Sequence, residues 1–173
     1  MELQVSTKRI YEGQIVKLRV DEVKLENGKI AKREIVEHNG ATAIVPILDD
    51  GRVVLVRQYR YAAGTELLEI PAGTLEPDET PENCAKRELE EETGFRCKEM
   101  RKLIEIFLAP GYSTEKIHIY LAKGLIETKM RLEEDEKINV EKISLTTALE
   151  MVNSGRIQDA KTISGLCSAT RSL

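Results

Sequence analysis

Residues 73–95 read GTLEPDETPENCAKRELEEETGF, and from residue 80 onward they carry every signal of a capped helix. Thr80 suits the N-cap, Pro81 the first helical position and Gly94 the position just past the end. Successive helical residues turn by about 100°, so Glu88, Glu91 and Glu92 share one arc while Glu90 points away. Carboxylates this close repel one another by ~0.2–0.5 kcal/mol per pair, a cost that a bound cation removes. Their oxygen donors suit Mg²⁺ or Mn²⁺, which keep several waters and bridge to substrate phosphates. Arg87 stands one turn before Glu91 and can hold it by a charge-assisted hydrogen bond. Gly73 lets the backbone pass close to the helix, which makes the carbonyl of Ala72 a candidate further ligand. The competing reading of such a run is a solvated acidic helix face.

Outward from this helix the pattern turns to strands. Residues 15–25 (IVKLRVDEVKL) place Val16, Leu18 and Val20 on one face, Asn27 and Gly28 supply a turn, and 29–38 (KIAKREIVEH) return. Residues 42–48 (TAIVPIL) and 52–56 (RVVLV), joined by Asp49, Asp50 and Gly51, read as a second hairpin buried on both faces. Further strand signals lie near 67–70, 101–108 and 116–122. Residues 145–153 (LTTALEMVN) form a second helix capped by Ser144 and closed near Gly155, and a third covers roughly 160–171. The charged stretch 126–137 (IETKMRLEEDEK) reads as a loop. The expected fold is α+β, with a small N-terminal β lobe over 1–40 and the main domain over 41–173.

At 173 residues, 41% hydrophobic and 32% charged, the composition is that of an ordinary soluble globular protein. Aromatics make up only 4%, so the core must rest on Ile, Val, Leu and Ala. The net charge of −4 argues against a nucleic-acid polymer or an anionic membrane as partner. Free nucleotides stay open, because a bound cation inverts the charge of an acidic site. Cys84, Cys97 and Cys167 lack metal-ligand spacing and read as reduced, small core residues. There is no signal-peptide h-region, and no apolar run approaches the ~18 residues of a membrane span. A cytoplasmic protein is expected.

Gly73, Glu79, Arg87, Glu88, Leu89, Glu91, Glu92, Gly94 and Phe95 match every fixed position of the Nudix box, and the chain resembles that hydrolase family over most of residues 10–165. Residues 52–73 (RVVLVRQYRYAAGTELLEIPAG) and 109–120 (APGYSTEKIHIY), with Pro110 fifteen residues past Phe95, are similar to the ADP-ribose pyrophosphatase branch, as is the later DEKINVEKISLTTALEMVNSG…DAKT pattern. The resemblance implies a Nudix fold, a mixed β-sheet sandwiched between helices, with the N-terminal antiparallel lobe exchanged in a homodimer. It implies that Glu88 and Glu92 bind metal with the Ala72 carbonyl, and that Glu91 completes the cluster. Arg60 would contact the diphosphate, and Arg33 would reach the nucleotide across the dimer interface. Gln14 stands near where an aromatic platform for the base is expected in this branch.

His38 and His118 have no motif around them, and no Ser or Thr shows a nucleophile signature, so the implied mechanism is direct attack by water. In the branch a Glu of the loop over the metals acts as base, which here points to Glu136, then Glu134, with Glu91 as the alternative. The implied reaction is metal-dependent cleavage of ADP-ribose to AMP and ribose 5-phosphate. The alternatives are a GDP-mannose-like sugar nucleotide, a dinucleoside polyphosphate or an oxidised nucleotide as substrate, or a non-catalytic module that senses a nucleotide.

Overall fold

The computed structural model describes residues 1–132 and 137–172. The chain divides into two compact units, Met1–Gly40 with Phe107–Lys116, and Ala41–Ile106 with Ile117–Leu173. Residues 107–116, which the sequence reading assigned to the main domain, thus belong with the first unit.

In the first unit, β1 (Leu3–Glu12), β2 (Lys17–Lys24) and β3 (Ile30–Glu37) form an antiparallel sheet in that order. The β2–β3 turn closes as its Asn-Gly signal predicts, with Gly28 N–H donating to the Leu25 carbonyl at 2.9 Å. β1 is an element the sequence reading did not assign. It is exposed along its whole length, and its ladder with β2 is interrupted between Gln4 and Ser6 and between Arg9 and Tyr11. Such bulges twist an edge strand and blunt it. Residues 112–114 lie along β3, where Val36 N–H donates to the Tyr112 carbonyl and Thr114 N–H to the Val36 carbonyl.

The second unit holds two sheets. β7 (Ala72–Thr74), β4 (Ala41–Pro46), β9 (Lys116–Glu127) and β8 (Phe95–Phe107) form one in that order, with β4 and β9 parallel and β4 and β7 antiparallel. β10 (Ile138–Ser144), β5 (Arg52–Arg60) and β6 (Thr65–Glu69) form an antiparallel second sheet. The hairpin expected between 42–48 and 52–56 is therefore corrected. The two runs share a single bridge, Ile47 with Val53, and then enter different sheets. All six residues of β4 are buried, as a central strand with a parallel partner requires, and Pro46 has no N–H to extend a ladder. β10 is also new: the sequence reading ended its strands at 122.

Helices α1 (Pro81–Thr93), α2 (Leu145–Asn153) and α3 (Ala160–Ala169) cover these strands. Alternate residues of β4 and β5 feed two cores. Val45, Leu55, Ile70 and Ile119 pack with Ala148 and Leu166 of α2 and α3. Ile44, Val54 and Tyr120 pack with Ala85 and Leu89 of α1. Strands so buried between helices bear out the expected mixed α+β architecture. Cys84 is buried, but Cys167 is exposed and so is not the core residue expected; all three cysteines are free. Among the described residues, no helix is long and apolar enough to cross a membrane.

Candidate active site

α1 forms where its sequence places it. Thr80 caps the first turn by accepting from Asn83 N–H at 3.3 Å, Pro81 opens the helix, and Gly94 closes it at φ 68°, donating to the Glu90 carbonyl. That left-handed φ is one a side chain would strain. Ala85, Leu89 and Glu92 recur at helical spacing on the buried stripe, so the packing that seats Ala85 and Leu89 also buries Glu92, which is 4% exposed. A carboxylate there needs a partner. Glu92 Oε2 accepts from the N–H of Ala72 at 2.9 Å.

One turn earlier, Glu88 meets the same backbone. A Cβ on Gly73 would stand 1.8 Å from Glu88 Oε1, so any larger residue there would push the Glu88 carboxylate out of its present place. Arg87 gathers three carboxylates. Its Nε and Nη2 take the two oxygens of Glu79 at 3.0 Å each, and its Nη1 reaches Glu88 at 2.6 Å and Glu91 at 3.0 Å. The Arg87 guanidinium holds the Glu79 carboxyl down at about 2. Burial pushes the neighbouring Cys84 thiol up to about 12, which leaves it inert as a nucleophile.

Thus Ala72 meets Glu92 and Gly73 meets Glu88 where β7 passes α1, and Arg87 links Glu88 to Glu91. Among the described residues, no group of three or more His, Cys, Asp or Glu side chains stands as one that could hold a metal ion by itself. The carboxylates of Glu88, Glu91 and Glu92 and the Ala72 carbonyl are all hard oxygen donors, the chemistry a divalent cation takes, and the side-chain-free Gly73 leaves the Glu88 carboxylate room beside the backbone.

Arg60, at the end of β5, makes a two-point ion pair with Glu69, Nε and Nη2 each at 2.8 Å. Glu69 is 1% exposed and also binds Lys161. Burial pushes the Glu69 carboxyl up, but the Arg60 and Lys161 bonds outweigh it and hold it below its usual value. Arg33 lies in the first unit, paired with Glu2, and lines a cavity of about 340 Å³ with Arg19 and residues 110–114. Glu134 and Glu136 lie outside the described residues. Sequence reasoning missed Glu69 and Lys161, although Lys161 stands in the DAKT pattern, and it did not see that Glu79 anchors Arg87.

Residues 37–164 match the family model described as the NUDIX domain, and residues 2–36 match that of the nucleoside diphosphate sugar hydrolase N-terminal domain. The chain is 44% identical over 164 residues to the methanol dehydrogenase activator of Bacillus methanolicus, covering 94% of this chain and 89% of that protein. It is 42% identical over 163 residues to the ADP-ribose pyrophosphatase of Bacillus subtilis (strain 168), covering 93% and 88%. It is 40% identical over 150 residues to the GDP-mannose pyrophosphatase of Citrobacter koseri, covering 80% and 78%. A crystal structure of an ADP compounds hydrolase superposes with a TM-score of 0.88 at 22% identity, covering 99% of this chain and 94% of that one, and so shares the fold.

Proposed function

The chain belongs to the Nudix hydrolase family, and on that premise we propose that it cuts the diphosphate of a nucleoside diphosphate sugar, with ADP-ribose giving AMP and ribose 5-phosphate. The observation that carries this reading is the junction at which Glu92 binds the Ala72 N–H while the Glu88 carboxylate occupies the place of a Cβ on Gly73. Magnesium or manganese held by Glu88, Glu91, Glu92 and the Ala72 carbonyl would neutralise the diphosphate and lower the pKa of the attacking water. Arg87 keeps Glu88 and Glu91 turned to one side. Arg60 offers guanidinium N–H groups to the diphosphate oxygens. Glu136 takes the proton from the attacking water, with Glu134 next in order and Glu91 as the alternative base. The water oxygen joins one phosphorus, and the bond from that phosphorus to the bridging oxygen breaks.

The test is a panel of ADP-ribose, GDP-mannose and a dinucleoside polyphosphate with Mg²⁺, the products separated by chromatography. Fastest turnover of ADP-ribose to AMP is expected. The 40% identity to a GDP-mannose pyrophosphatase favours a second reading, which much faster turnover of GDP-mannose would establish. An intact junction that cleaves none of them would favour a nucleotide-binding module instead.

We also propose a cytoplasmic homodimer in which Arg33 serves the partner's site. Support comes from the apolar side chains Leu3, Val5, Ile10 and Tyr11 exposed along β1, and from the three free cysteines. A dimer is expected in sedimentation, and a fully active monomer would remove both the dimer and the role of Arg33 in it.

A further inference from the structure

Arg60 and the residues that hold it lie outside the Nudix box and come from three separate elements, β5, β6 and α3. The fork to Glu69 uses one edge of the guanidinium, and among the described residues Nη1 has no protein partner. Glu69 is set by register: it pairs with Val56 on β5, four residues before Arg60. Lys161, in the first turn of α3 and 13% exposed, binds Glu69 and also Asp159 at 3.1 Å. Asp159 caps α3 by accepting from Thr162 N–H at 3.0 Å and from the Thr162 hydroxyl at 2.6 Å. Thr162 Oγ1 in turn accepts from Ile70 N–H at 2.9 Å. The start of α3 is thereby tied to the residue next to Glu69, and Lys161 is fixed where it can share that carboxylate.

The charges alternate along this chain, from Asp159 through Lys161 and Glu69 to Arg60. A buried carboxylate with Arg60 as its only cation would spend most of that cation's field on itself. A second cation on the same carboxylate lets Arg60 keep its attraction for an outside anion. The two-point fork also fixes the plane of the guanidinium, so its free edge needs no ordering when a ligand arrives. We propose that Glu69 and Lys161 are positioning residues that aim the free edge of Arg60 at a substrate phosphate and keep its charge available there. This rests on the reading of Arg60 as a diphosphate ligand. Neither residue touches substrate.

The test is steady-state kinetics of the full chain on ADP-ribose, with thermal unfolding alongside. Lys161→Met keeps the apolar stem and removes the charge. It should raise KM about tenfold, the worth of weakening one charge-assisted contact, and leave kcat within about twofold. Lys161→Arg should bring KM back to within about threefold of wild type, because it restores a cation to Glu69. In an Arg60→Ala background, Lys161→Met should raise KM less than about twofold further, since the group it serves is gone. Should Lys161→Met fail to fold, Lys161→Gln keeps a donor for Glu69 without the charge and carries the same expectation. A lowered melting temperature with KM unchanged, beside an Arg60→Ala enzyme whose KM is raised, overturns the positioning role. An unchanged KM in Arg60→Ala overturns instead the reading of Arg60, and this inference with it.

Discussion

Two acidic regions of the second unit handle their carboxylates in opposite ways. On α1, Arg87 is shared by Glu79, Glu88 and Glu91, while the nearby Glu92 leans on a backbone N–H. At the β6–α3 junction, the single carboxylate of Glu69 receives two cations, Arg60 and Lys161. In the first region three carboxylates share the one guanidinium of Arg87, and carboxylates held this close repel one another. The second keeps a cation with an unused edge, which an arriving anion can take. Under the proposed function, a diphosphate with its divalent metal would bring a cation to the first region and an anion to the second.

Under the proposed function the first region serves chemistry and the second binding, so the two should differ in which kinetic constant they move. Glu136→Gln should lower kcat by roughly 10²–10⁴ with KM nearly normal, the usual worth of a general base. Glu92→Gln keeps an oxygen for the Ala72 N–H and loses the charge. It should cost at least ~10²-fold in kcat with the fold intact, and EDTA should stop the wild-type enzyme. Both effects exceed the tenfold KM change expected at Lys161. A Glu92→Gln enzyme that loses only KM would erase the distinction. If Glu134→Gln and Glu136→Gln each leave kcat within a few-fold of wild type, the base passes to Glu91.

The two regions also differ in how far they could be read from the sequence. Everything that builds α1 is local: Thr80, Pro81 and Gly94 mark its ends, and helical periodicity alone places Glu88, Glu91 and Glu92 together. Glu69 is 9 residues from Arg60 and 92 from Lys161, and only strand register and the seat of α3 bring them together. Register is hidden in β5 because Val53, Val54, Leu55 and Val56 are all buried, leaving no alternation to read. The same lack of alternation made β4 and β5 look like a hairpin. β10 was missed because the charged stretch before it extends the loop signal, and INVEKIS is too mixed to stand out. Glu79 stands eight residues before Arg87 on a loop, so its partner depends on how the loop folds.

The remaining expected effect is on stability rather than on kinetics; it concerns that loop and measures how much of the first region is architecture. Arg87 holds the Glu79 carboxyl at about 2, well below the value of 4.5 it has when free, and the side chain is only 14% exposed. A carboxyl lowered on folding contributes stability that is fully present above its unfolded value and is lost as pH falls through its folded one. The window here runs from about 4.5 down to about 2. Glu79→Gln should therefore cost on the order of 1.5–3 kcal/mol at neutral pH, the range for a hydrogen bond to a charged group. The gap between wild type and variant should close as pH falls across that window, because wild-type Glu79 protonates there while the amide that replaces it does not titrate. Urea unfolding of both proteins at about pH 7, 4 and 2.5 reads the gap directly. Stability curves that stay parallel across the window would mean that Arg87 does not need Glu79. Its hold on Glu88 and Glu91 would then come from the helix alone, and the loop would be a spectator to the region it closes.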